Sequence, residues 1–543
     1  MSVKVESRPT TKTTVAAGRI AEAQAARFLL RAQFSAPDAD IAFVRTHGYS
    51  AWLAQQYALP RGQTGVDWLT EHKHDAITKD AHYFWPQAGD FMIWNQLLAQ
   101  PGEMRLRAAY ALSQFFVISL NPIDGYWPPY IMAAWWDLLV DGAFGNFRDL
   151  LERVTLNAGM GMYLNTKGNL KEDKATGREP DENYAREVMQ LFTIGLRMLN
   201  PDGTEKKDAG GRPIDTYGQD DITNLARVFT GYDHDFRRTR NMTVPWQNYP
   251  VVTHEFCVDP MRLDPDKHSN LAVSFCGTHI PANTPGKDAL RIALDTLFNH
   301  PNVGPFFGRQ MIQRLVTSNP SPAYVRRVAA AFDDNGHGVR GDLKAVWRAV
   351  LTDPEALAPY DPADRFAGKL REPVLRMVSW GRTAGVRSES GGFEIFDTSR
   401  SDTSLGQSPL RSPSVFNFFR PGFVPAHTAI AAAGLVAPEF QLQNETSAAG
   451  YGNFLQWMVR WGYKDVKPTY AAMIDFAHDP DRVVEWLNLR LAANQLSPET
   501  CRLIATALAS KMLTQESSHN QKLDLLASAC LLVLSAPEYL VQK

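Results

Sequence analysis

Cysteine is scarce: four residues in 543, at positions 257, 276, 501 and 530, with no CxxC pair among them. That spacing excludes a zinc ribbon and a thioredoxin-like redox pair. Cys257 and Cys276 share one irregular stretch. They either pair in an oxidising compartment or, more plainly, pack as small buried thiols. No apolar run approaches the ~18–20 residues that cross a bilayer, which excludes a helical membrane span. A surplus of positive charge is missing too. Lys+Arg number 56 against 58 Asp+Glu, a formal charge of −2. A general nucleic-acid binder needs a basic excess to displace counterions from phosphates, so that class is excluded and only a local basic patch stays open. There is no GxSxG, no GxxxxGK[ST], no HExxH and no paired-glycine dinucleotide fingerprint, which removes the commonest hydrolase, nucleotide, zinc-protease and dehydrogenase signatures. No cofactor is assigned by any motif. The opening MSVKVESRPTTKTTVAAGRI lacks the ~7–15-residue apolar core of a secretory signal. As written the chain reads as cytoplasmic; removal of an export signal would leave the same sequence on a periplasmic or secreted protein.

What is present is ordinary globular material, 44% apolar and 21% charged, in a chain long enough to bury a sizeable core without disulfides. Residues 1–17 are polar and rich in Thr and Lys, the composition of a loose arm. Apolar residues then recur at spacings of three and four in RIAEAQAARFLLRAQF and again in DIAFVRTHGYSAWLAQQYAL, the period of amphipathic helices. MIWNQLLAQPGEMRLRAAYALSQFFVISL reads as two helices broken at Pro101-Gly102, and further helices are expected around 133–139 and 147–155. Residues 195–290 differ. DG and GG turns, then Pro, His and Asp in quantity, predict a small hairpin followed by extended loops. Helices resume from Lys287 to about residue 380, 388–438 is loop-rich, and about 446–543 is strongly helical. The expectation is a mainly α fold: a large multi-helical body with long loop insertions and room for one small β-hairpin. It divides into an arm (1–17), an N-terminal helical part (18–194), the insertion (195–290) and a C-terminal helical part (291–543), integrated into one body.

The segment PDENYAREVMQ, Pro180 to Gln190, carries the densest polar pattern. Pro180 suits a helix start, and Asp181 and Glu182 complement the positive end of the dipole. At 100° per residue, Glu182, Asn183, Arg186, Glu187 and Gln190 share an arc of about 140°, with Tyr184, Val188, Leu191 and Phe192 opposite. Glu182 can pair with Arg186, and Asn183 with Glu187, each four apart. A solvated face with ordinary pairs explains this pattern. A cleft wall explains it too: one carboxylate stays charged beside Arg186, leaving Glu187 as the freer acid/base group.

ENYAREVMQLFTIGL, followed by DITNLARVFTGY at 221–232, resembles the central signature of the bacterial domain of unknown function family 1800. RLRAAYALSQFFVIS (105–119), AFGNFRDLLERVTLNAGMGMYL (143–164), GRQMIQRLV (308–316), GVRGDLKAVWRAVLTDPEA (338–356), KLREPVLRMV (369–378), SPSVFNFFRPGF (412–423) and LLVLSAPEYLVQK (531–543) fit the same family in order. The resemblance covers nearly the whole chain. It implies a mostly α-helical fold and no established activity. It also implies a neighbouring gene for an alkaline-phosphatase-like, sulfatase-related protein, hence such a protein as a candidate partner. Family members often carry an export signal, which this chain does not show.

Other candidates are weaker patterns. His254, His268 and His279 lie among Asp259, Asp264 and Asp266, types that can bind a divalent metal, though no HxxxH puts two ligands on one helix face. LDPDKHSN (263–270) and DDNGHGVRGD (333–342) each have part of a calcium loop without its closing Glu; the second is more simply a turn with Asp342 as helix cap. In KLREPVLR, Arg371 and Arg376 have the fork geometry for a carboxylate, sulfate or phosphate, or else pair between packed helices with Lys369 and Glu372. LGQSPLRSPSVFNFFRPG (405–422) offers Asn417 and Arg420 with aromatic residues that either line a groove or plug the core.

The two loop regions are expected to meet near the Asn183 helix. The first functional expectation is an enzyme that cleaves a polysaccharide or similar anionic polymer by carboxylate acid/base chemistry. Glu187 and Glu182 are its catalytic candidates; Asn183, Arg186, Gln190, Arg371, Arg376, Asn417 and Arg420 are its substrate-binding candidates. The alternatives are a non-catalytic binding or assembly partner of a sulfatase-like protein, and a metal-dependent enzyme using His254 and His268.

Overall fold

Proline, glycine and small capping residues cut the chain into twenty-three α-helices among the residues described by this computed structural model, 20–77, 84–123, 125–244, 251–364 and 367–543. The expected arm at 1–17 lies outside them. The only β-structure among the described residues is short antiparallel pairs of two or three residues per strand and a few isolated bridges. The fold is therefore mainly α.

The first periodic segment forms the helix Glu22–Ala32. The second breaks in two, Asp38–His47 and Tyr49–Ala58, because Gly48 takes a φ of +84° that ends one helix and starts the next. The break at Pro101-Gly102 separates Gln87–Leu98 from Glu103–Ser113, as the composition predicts. The second of these stops at Ser113, and the apolar residues that follow, Phe115 to Ile118, are buried outside helical geometry. The expected helices around 133–139 and 147–155 are Pro128–Gly142 and Phe147–Thr155. Every residue of Pro128–Gly142 except Asp141 is buried. A helix apolar all round has no solvent face, so it sits inside. It packs against Gly65–Glu71, Gln87–Leu98, Glu103–Ser113 and Phe147–Thr155, and forms the axis of the N-terminal half.

The 195–290 region departs from the expected single hairpin. It holds several two-stranded pieces, among them Tyr232–Asp233 with Arg262–Leu263 and Val273–Phe275 with Thr278–Ile280, some short 3-10 turns, and the α-helix Gln219–Ala226. That helix packs on Asn183–Gln190. Further on, Val303–Leu315, Pro322–Asp333 and Leu343–Thr352 pack in succession. Glu445–Trp461, Pro480–Ala492, Pro498–Ala509 and His519–Ser535 pack together at the C-terminal end. Residues far apart in sequence close the body. Glu22–Ala32 lies against Pro480–Ala492, and Val541–Gln542 pairs antiparallel with Lys369–Leu370. One contiguous hydrophobic cluster runs from Ala25 to Tyr539.

Candidate functional site

The central polar segment folds as the helix Asn183–Gln190, with Glu182 at its N-cap position. The side chain that holds the helix start is Asp181, whose Oδ1 accepts the backbone N–H of Asn183 at 2.8 Å. Asn165 donates to the other oxygen of Asp181, and Asn169 brackets its backbone through both its amide atoms. Asn165 and Asn169 were not singled out by sequence; an Asn twelve or more residues away carries no local signal.

On the opposite side, the apolar half of the signature is buried among neighbours. The Tyr184 hydroxyl donates to Thr155 Oγ1 at 2.8 Å, and the Tyr184 ring meets Phe229 edge-on at 4.8 Å. Asn302 donates to the carbonyls of Ile194 and Arg197. In the second half of the signature, Gly231 has φ +83°, and a Cβ there would stand 2.7 Å from the Asp264 carbonyl oxygen. Much of the motif is thus explained by packing the Asn183–Gln190 and Gln219–Ala226 helices together.

The two glutamates meet opposite environments. Glu182 receives Thr223 Oγ1 at 2.6 Å, Gln219 Nε2 at 2.9 Å and Arg186 Nη2 at 3.3 Å. These bonds, led by the Thr223 hydroxyl, hold its carboxyl below the usual range. Glu187 is only 8% exposed, and its Oε2 is buried without a hydrogen-bond partner. Burial raises its pKa, and Arg186 opposes that only in part. The expected Glu182–Arg186 pair forms; no hydrogen bond joins Asn183 to Glu187 among the described residues. Residues 182 and 187 are five apart, hence about 140° apart around the axis, with Arg186 between them.

Two tyrosines flank Glu187. Tyr217, from the 195–290 region, places its hydroxyl 3.5 Å from Gln190 Oε1 and feels both Arg186 and Glu187; burial lifts it to about 12. Tyr163 is likewise lifted to about 12 by burial, and its hydroxyl approaches Ser412 in the 388–438 loop. Ser412 Oγ nevertheless makes no well-formed hydrogen bond. The 195–290 region therefore reaches the Asn183 helix through Tyr217, Gln219 and Thr223, and Ser412 of the 388–438 region reaches Tyr163.

The remaining candidates have other surroundings. Arg371 and Arg376 are buried, 6% and 2% exposed, with guanidinium groups 4.9 Å from the rings of Tyr539 and Tyr451. Asn417 is buried in left-handed geometry and lines a small cavity with Gln114, Ser408 and Ser412, its Nδ2 unpartnered. Arg420 is exposed over the Phe416 ring at 4.6 Å. His254 stacks on Tyr130 at 4.0 Å, and burial lowers its pKa. His268 is buried elsewhere, its Nδ1 2.9 Å from the Thr230 carbonyl oxygen. Among the described residues no group of three or more His, Cys, Asp or Glu stands close enough to hold a metal ion. The two loops with partial calcium patterns use their aspartates as caps: Asp264 accepts the Asp266 N–H, and Asp342 accepts the Lys344 N–H at 2.9 Å. Cys257 and Cys276 are free thiols.

A family model described as protein of unknown function (DUF1800) matches residues 27–541. The chain belongs to the DUF1800 family. No curated protein and no solved structure matches it. Among the described residues of this DUF1800 protein, no helix is long and apolar enough to cross a membrane.

Proposed function

We propose that this DUF1800 protein is an acid/base enzyme acting on an extended polar polymer such as a polysaccharide, with Glu187 as the proton-donating group. One observation carries the reading: two carboxylates on one short helix are displaced in opposite directions, Glu187 upward by burial and Glu182 downward by its hydrogen bonds. Acid/base sites are built from groups whose surroundings push their pKa values apart. In this scheme Glu187 gives its proton to the leaving-group oxygen as the C–O bond breaks, and a water adds to the carbon and returns a proton to the Glu187 carboxylate. Glu182 stays ionised and fixes Arg186, which with Gln190 and Tyr217 orients the polymer at the rim. Arg371 and Arg376, being buried, support the frame and make no contact with a polymer outside.

The test is release of reducing ends from a panel of anionic and neutral polysaccharides by wild-type protein, Glu187→Gln and Glu182→Gln. Loss of about a hundredfold or more in Glu187→Gln is expected. Equal release by all three would overturn the reading. A second reading is favoured by Trp457 and Trp461, 60% and 53% exposed and one turn apart on a single helix, since exposed aromatic residues serve as docking anchors. If wild-type protein releases nothing, and a co-expressed sulfatase-like protein co-purifies with wild type and Glu187→Gln but not with Trp457→Ala/Trp461→Ala, an assembly partner replaces the enzyme.

A further inference from the structure

A second polar cluster lies inside the molecule. Arg107 on the Glu103–Ser113 helix, Arg371 beside the Lys369–Leu370 strand and Ser379 on the Pro373–Thr383 helix are 2%, 6% and 5% exposed. Together with Gln33 and Gln542 they line a cavity of about 20 Å³, whose apolar wall includes Phe34 and Leu375. Three polar atoms of this lining have no hydrogen-bond partner: Arg107 Nη1, Arg371 Nε and Ser379 Oγ. A buried polar group left unpaired costs about 1–3 kcal/mol, more when it carries charge, so two N–H groups and a hydroxyl on one cavity need an explanation.

Charge balance sharpens the point. Arg31, 7% exposed, is close enough to Arg371 for the two cations to repel, and its own Nε is unpartnered. Among the described residues no ion pair includes Arg31, Arg107 or Arg371. Arg107 donates to the Arg314 carbonyl oxygen at 2.7 Å, and Arg31 to the Ala356 carbonyl oxygen. Both are neutral acceptors. Of the acids nearby, Glu372 and Glu439 attract Arg107 without bonding it. Glu372 takes bonds from Gln114, Gln407 and Tyr110 at its Oε2 and leaves Oε1 unpartnered, and Glu439 pairs with Lys369. Glu103 takes Arg382 at 3.2 Å and the backbone N–H groups of Phe34 and Ser35. Gln33 gives its amide N–H to Ser35 and Asp40, and Gln542 gives its own to Leu315 and Val316. Arg371, by contrast, has no acid among the groups that act on it; a buried charge with no counter-charge bonded to it is expensive, and a water molecule satisfies hydrogen bonds without supplying one.

We propose that this cavity binds a monatomic anion of chloride size, held by Arg107 Nη1, Arg371 Nε and Ser379 Oγ, as a structural counter-ion. Space selects the class: one or two water-sized spheres fit, and a five-atom sulfate or phosphate does not. The anion would tie together the Glu103–Ser113 helix, the KLREP segment and the Pro373–Thr383 helix. It does not depend on the acid/base reading, since it touches none of those residues.

The test is refolding of the full chain from urea into bromide, chloride or gluconate at equal ionic strength, followed by thermal unfolding, and crystallisation from bromide with anomalous diffraction. An anion that binds only the folded state raises Tm with its concentration. The expected result is a higher Tm in chloride and bromide than in gluconate, lost in Arg371→Met and in Ser379→Ala, with one anomalous peak within hydrogen-bonding distance of Arg107 and Arg371. Refolding to the same Tm in all three salts, or a bromide crystal with no peak and only water in the cavity, would overturn it.

Discussion

Replacing Glu187 by Gln keeps the shape of the side chain and removes its charge. Glu187 is 8% exposed, and its Oε2 has no partner. A buried acceptor left unmade costs about 1–3 kcal/mol, more if ionised. The sign follows from linkage. Burial raises the carboxyl above its unfolded value of about 4.3. Between the unfolded and folded values the native state holds the extra proton, so native stability falls as pH rises through that window and stays lowered above it. Glu187→Gln has no such group. Relative to wild type it should show no electrostatic gain below pH ~4 and a gain that grows to a plateau above the folded value. A chain of 543 residues unfolding cooperatively has an entropy of about 1 kcal/mol per kelvin. The plateau should therefore be ~1–3 °C in Tm. Differential scanning calorimetry of both proteins from pH 4 to 8 measures it. A Tm difference that does not change with pH, or a variant less stable than wild type at pH 8, would refute the reasoning that Glu187 is a strained, upward-shifted acid.

Further substitutions probe the frame around the site. Lys369 and Glu439 form a buried ion pair at 2.8 Å, each side chain 2% exposed. Lys369→Met should lower stability by about 3–5 kcal/mol by stranding the carboxylate, and Lys369→Met/Glu439→Gln should recover much of it; equal Tm values for the single and double variants would contradict this. Gly231→Ala forces a left-handed non-glycine backbone and sets a Cβ against the Asp264 carbonyl oxygen. A loss above about 2 kcal/mol and faster proteolysis within 260–270 are expected. A wild-type Tm would show that the loop shifts freely.

The sequence by itself determined what depends on neighbours three or four residues away. Helical period placed most of the N-terminal helices, and Pro101-Gly102 separated two of them. The Glu182–Arg186 pair and the cap at Asp342 were legible because both are formed within one turn of chain. The ordered motifs were enough for the family. Burial was not legible, because it depends on what arrives from elsewhere. Five polar residues on one arc read as one face, yet Glu187 is enclosed while Arg186 stays partly open. The partners that hold Glu182 down, Gln219 and Thr223, come from the Gln219–Ala226 helix, and the burial that raises Glu187 is a property of the assembled fold. In the sequence Arg371 and Arg376 read either as forks for an anionic group or as ion pairs between packed helices. The tertiary structure put Arg371 against Tyr539, where the C-terminal strand pairs with the KLREP segment, and Arg376 against Tyr451 of the Glu445–Trp461 helix. The convergence of Arg107 with Arg371 on one cavity is likewise a product of packing alone: no periodic rule links positions so far apart, and only the assembled helices bring their unpaired N–H groups together.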